Sequence, residues 1–204
     1  MQKISNLLEL NIKLICWDLD GTLFDTETMW FNMDKLITEK YGSNLSQEEY
    51  DKASETIAAA AYNSWGYRAN AEKVLNLFKE KEICQVVINK CDLTNKTMFK
   101  NKVVNSSFPF NYFDEIISEL SFHDEFSLSD MYKYALKKYK VINNNEAIAI
   151  CDMPFELKAA KDSGLKTIWA KNSDYPFTNL ELEEIQRNAD FYVEDFLDLV
   201  RWGF

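Results

Sequence analysis

Two aspartates separated by one residue, Asp18 and Asp20, open the run Asp18-Leu19-Asp20-Gly21-Thr22-Leu23, which follows the apolar stretch 13–17 without a break. In an extended segment, residues i and i+2 project from the same face, so the two carboxylates can converge on one small site. Like charges that close repel unless a cation neutralises them, and a hard divalent ion with oxygen ligands is the natural partner. Gly21 permits a sharp exit from a strand, and Thr22 can hydrogen-bond locally to hold the loop. A second acidic pair, Asp152 and Glu156, follows another apolar run, 147–150, in the sequence Cys151-Asp152-Met153-Pro154-Phe155-Glu156. Pro154 suits a first helical turn and Gly164 a helix C-terminus. Taken singly, each group has a plainer reading: Asp20-Gly21 is ordinary turn chemistry, and Asp152 caps a helix. Taken with Asp18 and Asp20, Asp152 is expected to do more than cap a helix.

The elements that must position these acids are legible as period and run length. Apolar runs at 13–17, 84–89, 115–118, 147–150 and 166–170 alternate with helical patterns. They lack a polar alternate face, as expected of strands buried on both sides of a parallel sheet covered by helices. In such a sheet ligands bind at the carboxyl ends of the strands. The interval between the first two runs is too long for one crossover helix. Trp30, Met33, Ile37 and Tyr41 fall at helical spacing, as do Tyr50, Ala53, Ile57 and Ala61, with residues 42–46 as the break. The spacing predicts a small helical cap over 24–65 and an α/β core with a Rossmann-like parallel sheet over 1–23 and 66–204; the alternative is that both helices pack on the sheet. A third helix spans 69–81, and Asn143-Asn144-Asn145 reads as a turn. A helix at 180–187, an extended piece at 189–193 and a terminal helix from Glu194 complete the pattern.

Composition narrows the chemistry. With 204 residues, 47% hydrophobic and 14% aromatic, the chain fits one main domain with a small appendage. No apolar run approaches the roughly 20 residues that span a bilayer, and the N-terminus lacks a secretory pattern, so a cytoplasmic protein without a membrane partner is expected. The four cysteines form no Cys-x-x-Cys pair and read as free thiols. A net charge of −10 disfavours nucleic acid as a partner. The single histidine, His123, excludes multi-histidine metal sites and weakens a Ser/His/Asp proposal. The chemistry falls to carboxylates.

The run from Asp18 to Leu23 resembles the first signature of the haloacid dehalogenase superfamily, and the stretch from Cys151 to Gly164 resembles its fourth, with Cys151 in place of the usual glycine. The resemblance extends from about Lys13 to the C-terminus. It implies a magnesium-dependent phosphatase in which Asp18 attacks phosphorus to give an aspartyl-phosphate, while Asp20 protonates the leaving group and then activates water. Magnesium would be held by Asp18, Asp152, Glu156 and the backbone carbonyl of Asp20. Asp20 speaks against the dehalogenase branch, and the reduced cap speaks against a phosphomutase.

Two signatures depart from the family pattern. The second ends its strand in a Ser or Thr that holds a phosphate oxygen; here the strand reads Val86-Val87-Ile88-Asn89-Lys90, and that place falls at Ile88, which donates nothing, in one register and at Asn89 in the other, so Asn89, with Thr22 and Lys90, is the candidate phosphate contact. The third supplies a lysine ahead of a helix, where this chain has Phe126. Loss of one positioned electrostatic group typically costs on the order of a hundred- to a thousand-fold in rate. Lys90, Lys96, Lys133 and His123 are the candidate replacements. The expected function is hydrolysis of a small phosphorylated metabolite; the alternative is a catalytically weak or inactive relative that serves as a binding or regulatory module. No part of the sequence specifies the substrate or an oligomeric state.

Overall fold

Every apolar run predicted as a strand is one in the computed structural model, which describes residues 2–3, 11–26, 29, 31–64, 67–89, 110–118, 126–172 and 175–200. The strands are β1 (Gln2–Lys3), β2 (Leu14–Trp17), β3 (Cys84–Asn89), β4 (Glu115–Ser118), β5 (Ala147–Cys151), β6 (Lys166–Ala170) and β7 (Phe191–Val193). They pair in parallel throughout, in the order β1-β7-β6-β5-β2-β3-β4. The strand β1 was not expected from the sequence: it is two polar residues long and pairs only with β7 at the sheet edge. The terminal helix expected from Glu194 is instead a 3-10 turn at Phe196–Leu199.

Side chains alternate between two buried faces, which explains why the strands carry no polar side. Ile15, Trp17, Val87, Ile148, Ile150 and Ile168 pack with α3 (Ala71–Glu80) and the Phe196–Leu199 turn. Leu14, Cys16, Val86, Ile88, Ala147 and Ala149 pack on the opposite face against three helices. These are α4 (Leu128–Lys138), α5 (Pro154–Asp162) and α6 (Asn179–Asn188). Local signals set their starts: capping boxes at Ser127/Asp130 and Thr178/Glu181, and Pro154 in the first turn of α5.

The insertion after β2 forms a helical hairpin, α1 (Met33–Tyr41) and α2 (Gln47–Ser64). Gly42, at φ 91°, ends α1 in the left-handed region that favours glycine. Met29, Met33 and Ile37 pack with Ala53 and Ala58 in a cluster of their own, separate from the two sheet faces. Tyr41, at the end of the predicted apolar stripe, is exposed. The hairpin is tied to the core where it leaves and returns: Phe24 bridges Tyr67, and their rings stack at 5.5 Å. Phe31 also meets Tyr175, in the loop beyond β6, edge-on at 6.4 Å. No helix among the described residues is long and apolar enough to cross a membrane. Cys16, Cys84 and Cys151 are free thiols; Cys91 lies outside the described residues.

Candidate active site

β2 is central, flanked by β5 and β3, with Trp17 opposite Ile150 and Val87. The Asp18 amide extends this ladder by donating to the Ile150 carbonyl at 2.9 Å. Asp18 therefore stands beside Cys151, and Asp152 follows one residue on. The chain turns at once after Asp18 rather than running on extended: the amides of Leu23 and Phe24 both donate to the Leu19 carbonyl at 3.0 Å. Gly21 sits at φ 80°, a conformation a side chain would strain, and its amide donates to Thr26 Oγ1 at 2.9 Å.

From this turn Thr22 points inward. It is fully buried, and its hydroxyl donates to Asp152 Oδ1 at 3.1 Å, joining the loop after β2 to the loop after β5. Glu156 lies in the first turn of α5, where the helix dipole favours negative charge, and it too is buried. Asp18, Asp152 and Glu156 each bring one carboxylate oxygen to within 4.8 Å of the other two. Asp20 is not one of that trio, but its carboxylate is near enough for its charge to act on Asp18. Burial raises the Asp18 pKa well above the usual carboxylate range, and repulsion from Glu156 and then Asp20 adds to it; hydrogen bonds from Thr22 and the Leu19 backbone act the other way.

The donor set fits a divalent cation. Asp18 Oδ2 and Asp20 Oδ1 are buried without a hydrogen-bond partner among the described residues. Hard carboxylate oxygens gathered from several loops are what magnesium binds. An aspartate at the end of a central strand, faced by two further acids, can act as a nucleophile toward an electrophilic phosphorus.

Asn89 ends β3, buried, with Ser118 of β4 opposite it. Lys90, Lys96 and His123 lie outside the described residues. Lys133 is exposed on α4, where its charge acts on Asp130. Phe126 is half-buried and packs against the core cluster beneath α4 and α5. Two residues that shape the site escaped sequence reasoning. Thr26 closes the turn through Gly21, a contact five residues long that a hydroxyl after a glycine hints at. Arg68 donates from Nη1 to the Gly21 carbonyl across 47 residues, a contact with no local signal.

The parallel sheet with a helical insertion after the first core strand is a fold shared with solved structures of haloacid dehalogenase-like proteins. No family model matches the chain. A candidate pyrophosphatase, PpaX, from Caldanaerobacter subterraneus subsp. tengcongensis is 22% identical over 226 residues, covering 94% of each chain. Among solved structures, a candidate β-phosphoglucomutase from Thermotoga maritima superposes with a TM-score of 0.71 at 16% identity, covering 92% of this chain and 97% of that one. A haloacid dehalogenase-like hydrolase family protein from Streptococcus pneumoniae superposes with a TM-score of 0.66 at 17% identity, covering 94% and 98%.

Proposed function

We propose that this chain is a magnesium-dependent phosphatase that hydrolyses a small phosphomonoester through an aspartyl-phosphate on Asp18. One observation carries the reading: three buried carboxylates, Asp18, Asp152 and Glu156, close to within 4.8 Å at the strand ends. Magnesium, held by Asp18, Asp152, Glu156 and the Asp20 carbonyl, supplies the positive charge that offsets these acids and a phosphate dianion.

In the first half-reaction an Asp18 oxygen forms a bond to phosphorus as the ester oxygen leaves, and Asp20 gives that oxygen a proton. In the second, Asp20 takes a proton from water; the water oxygen bonds to phosphorus, and the bond from phosphorus to Asp18 breaks. Thr22 orients Asp152 from within the loop and lies close enough to Asp18 to hold it as well. The Asn89 amide, with Lys90 next in the chain, is the phosphate contact. Residues 24–65 act as a cap over the core formed by 1–23 and 66–204. Phe126 favours a second reading, a slow enzyme or a binding module, because an apolar ring packed on the core offers no charge to the phosphate.

The test is turnover of sugar phosphates, nucleotides and a chromogenic ester, with and without magnesium. Magnesium-dependent release of phosphate by the wild type, lost in Asp18→Asn, is the expected result. Turnover at the wild-type level in Asp18→Asn would remove the nucleophile, and a folded wild type that hydrolyses none of these esters would favour the binding module.

A further inference from the structure

The turn after β2 owes its shape to an arginine that belongs to another part of the chain. Gly21 and Thr22 direct their carbonyls out of the sheet ladder, and a backbone carbonyl away from water needs a donor. Arg68 supplies it. Its Nη1 donates to the Gly21 carbonyl at 2.8 Å and to the Thr22 carbonyl at 3.4 Å. Its Nη2 donates to the Lys171 carbonyl, just beyond β6, at 3.1 Å. The guanidinium lies 5.5 Å from the centre of the Phe196 ring, and the Arg68 amide donates to the Leu23 carbonyl at 2.7 Å. One side chain thus fastens the loop of Asp18 to the exit of β6 and to the Phe196–Leu199 turn.

Arg68 is also the residue through which the helical hairpin rejoins the core, directly after Tyr67, which bridges and stacks on Phe24. We infer that Arg68 is a positioning residue that sets the 18–22 loop from the return linker of the hairpin, so that the aim of Asp18 depends on how that linker is seated. Only a guanidinium does this well. Its planar fork presents five donors at fixed angles and reaches three carbonyls at once, whereas a lysine offers one compact, strongly hydrated charge.

The catalytic consequence rests on the phosphatase reading; the structural role does not. Two variants, Arg68→Ala and Arg68→Lys, separate them. Amide exchange followed by mass spectrometry reads the loop directly, because the Gly21, Leu23 and Phe24 amides are hydrogen-bonded within it. Exchange over residues 19–24 should quicken in Arg68→Ala while peptides from β2, β3 and β5 stay protected, and Arg68→Lys should fall between the two. Turnover should drop on the order of tenfold to a hundredfold in kcat with KM little changed, as for a small misplacement of a reacting group. Millimolar guanidinium should restore part of it in Arg68→Ala. Unchanged loop exchange in Arg68→Ala, or an Arg68→Lys variant equal to wild type in both exchange and kcat, would overturn the assignment. Beryllium fluoride binding, followed by fluorine NMR, isolates the other reading: wild type that binds none and hydrolyses nothing, while Arg68→Ala still loosens the loop, leaves the positioning role standing and removes the phosphatase.

Discussion

Asparagine at position 18 keeps the shape of the aspartate side chain and removes its charge, so its effect on the metal-free protein measures what the carboxylate cluster costs. Asp18, Asp152 and Glu156 each offer an oxygen within 4.8 Å of the others. At an effective dielectric constant of about 20, two unit charges at that separation repel by roughly 3.5 kcal/mol. Asp18→Asn relieves two of the three repulsions and replaces one oxygen by an amide that can donate to a neighbouring acid. Burial, Glu156 and Asp20 push the Asp18 pKa well above the usual range, which lessens part of the penalty in wild type. A net stabilisation of about 2 kcal/mol is therefore expected near neutral pH, or roughly 4–8 °C in Tm for a chain of this size. Because the native state binds the Asp18 proton more tightly than the unfolded chain, wild-type stability without metal falls as pH rises from the ordinary carboxylate pKa toward the raised one. The gap between variant and wild type should widen over the same window. Thermal unfolding in a chelator, across pH, is the assay. Saturating magnesium should raise the wild-type Tm, by about 2.7 kcal/mol of stability at a hundred times Kd, and raise the variant less. A lower Tm for Asp18→Asn in the chelator, or an equal magnesium response, would refute the view of the cluster as a cation site held under repulsion.

Thr22→Val deletes the buried hydroxyl that donates to Asp152 at 3.1 Å, and calorimetry should find magnesium bound about 10–100-fold more weakly, whereas Asp152→Asn should erase the magnesium effect. Equal affinity in Thr22→Val would mean that Asp152 is oriented by something else. Phe126→Lys should raise the rate of ester hydrolysis if the ammonium faces the strand ends, and because Phe126 packs on the core, Tm must be followed alongside. An unchanged rate in a folded Phe126→Lys would show that the charge is supplied elsewhere, and alanine changes at Lys90, Lys96 and Lys133 would then locate it.

Much of this arrangement was legible because strand and helix periods are local. The runs at 84–89, 115–118 and 166–170 became strands with the same ends, since buried parallel strands need apolar residues on both faces. What stayed hidden was set by contacts distant in sequence. Nothing in Gln2-Lys3 marks a strand; the free edge of β7 makes it one. Asp18 and Asp20 are two residues apart and act on each other electrostatically, whereas Glu156, 138 positions from Asp18 in the numbering, joins Asp18 and Asp152 only through the fold. The three carbonyls that Arg68 fastens come from segments 46 to 103 residues away, and a single arginine in a linker carries no pattern to read.

The fold does not need the acids it assembles, and this is the strongest reason to read them as functional. The packing of the two sheet faces is carried by apolar side chains, among them Trp17, Val87 and Ile150 on one face and Cys16, Met131 and Tyr132 on the other. An apolar residue or an amide in place of Asp18, Asp152 or Glu156 would leave both faces packed and remove repulsion in a buried setting. Instead the chain fixes the three with dedicated devices: a ladder bond to the Asp18 amide, the Thr22 hydroxyl on Asp152, and the first turn of α5 for Glu156. A local arrangement that lowers stability, and that several separate elements hold in place, is where sequence-level consistency is expected to yield to function. Phe126 does not fit that scheme as neatly, for it packs on the core at the place where the resemblance calls for a lysine. The acids and the position of Phe126 bear on different steps, the first on cation binding and the second on phosphate binding, which is why metal binding and turnover have to be measured separately.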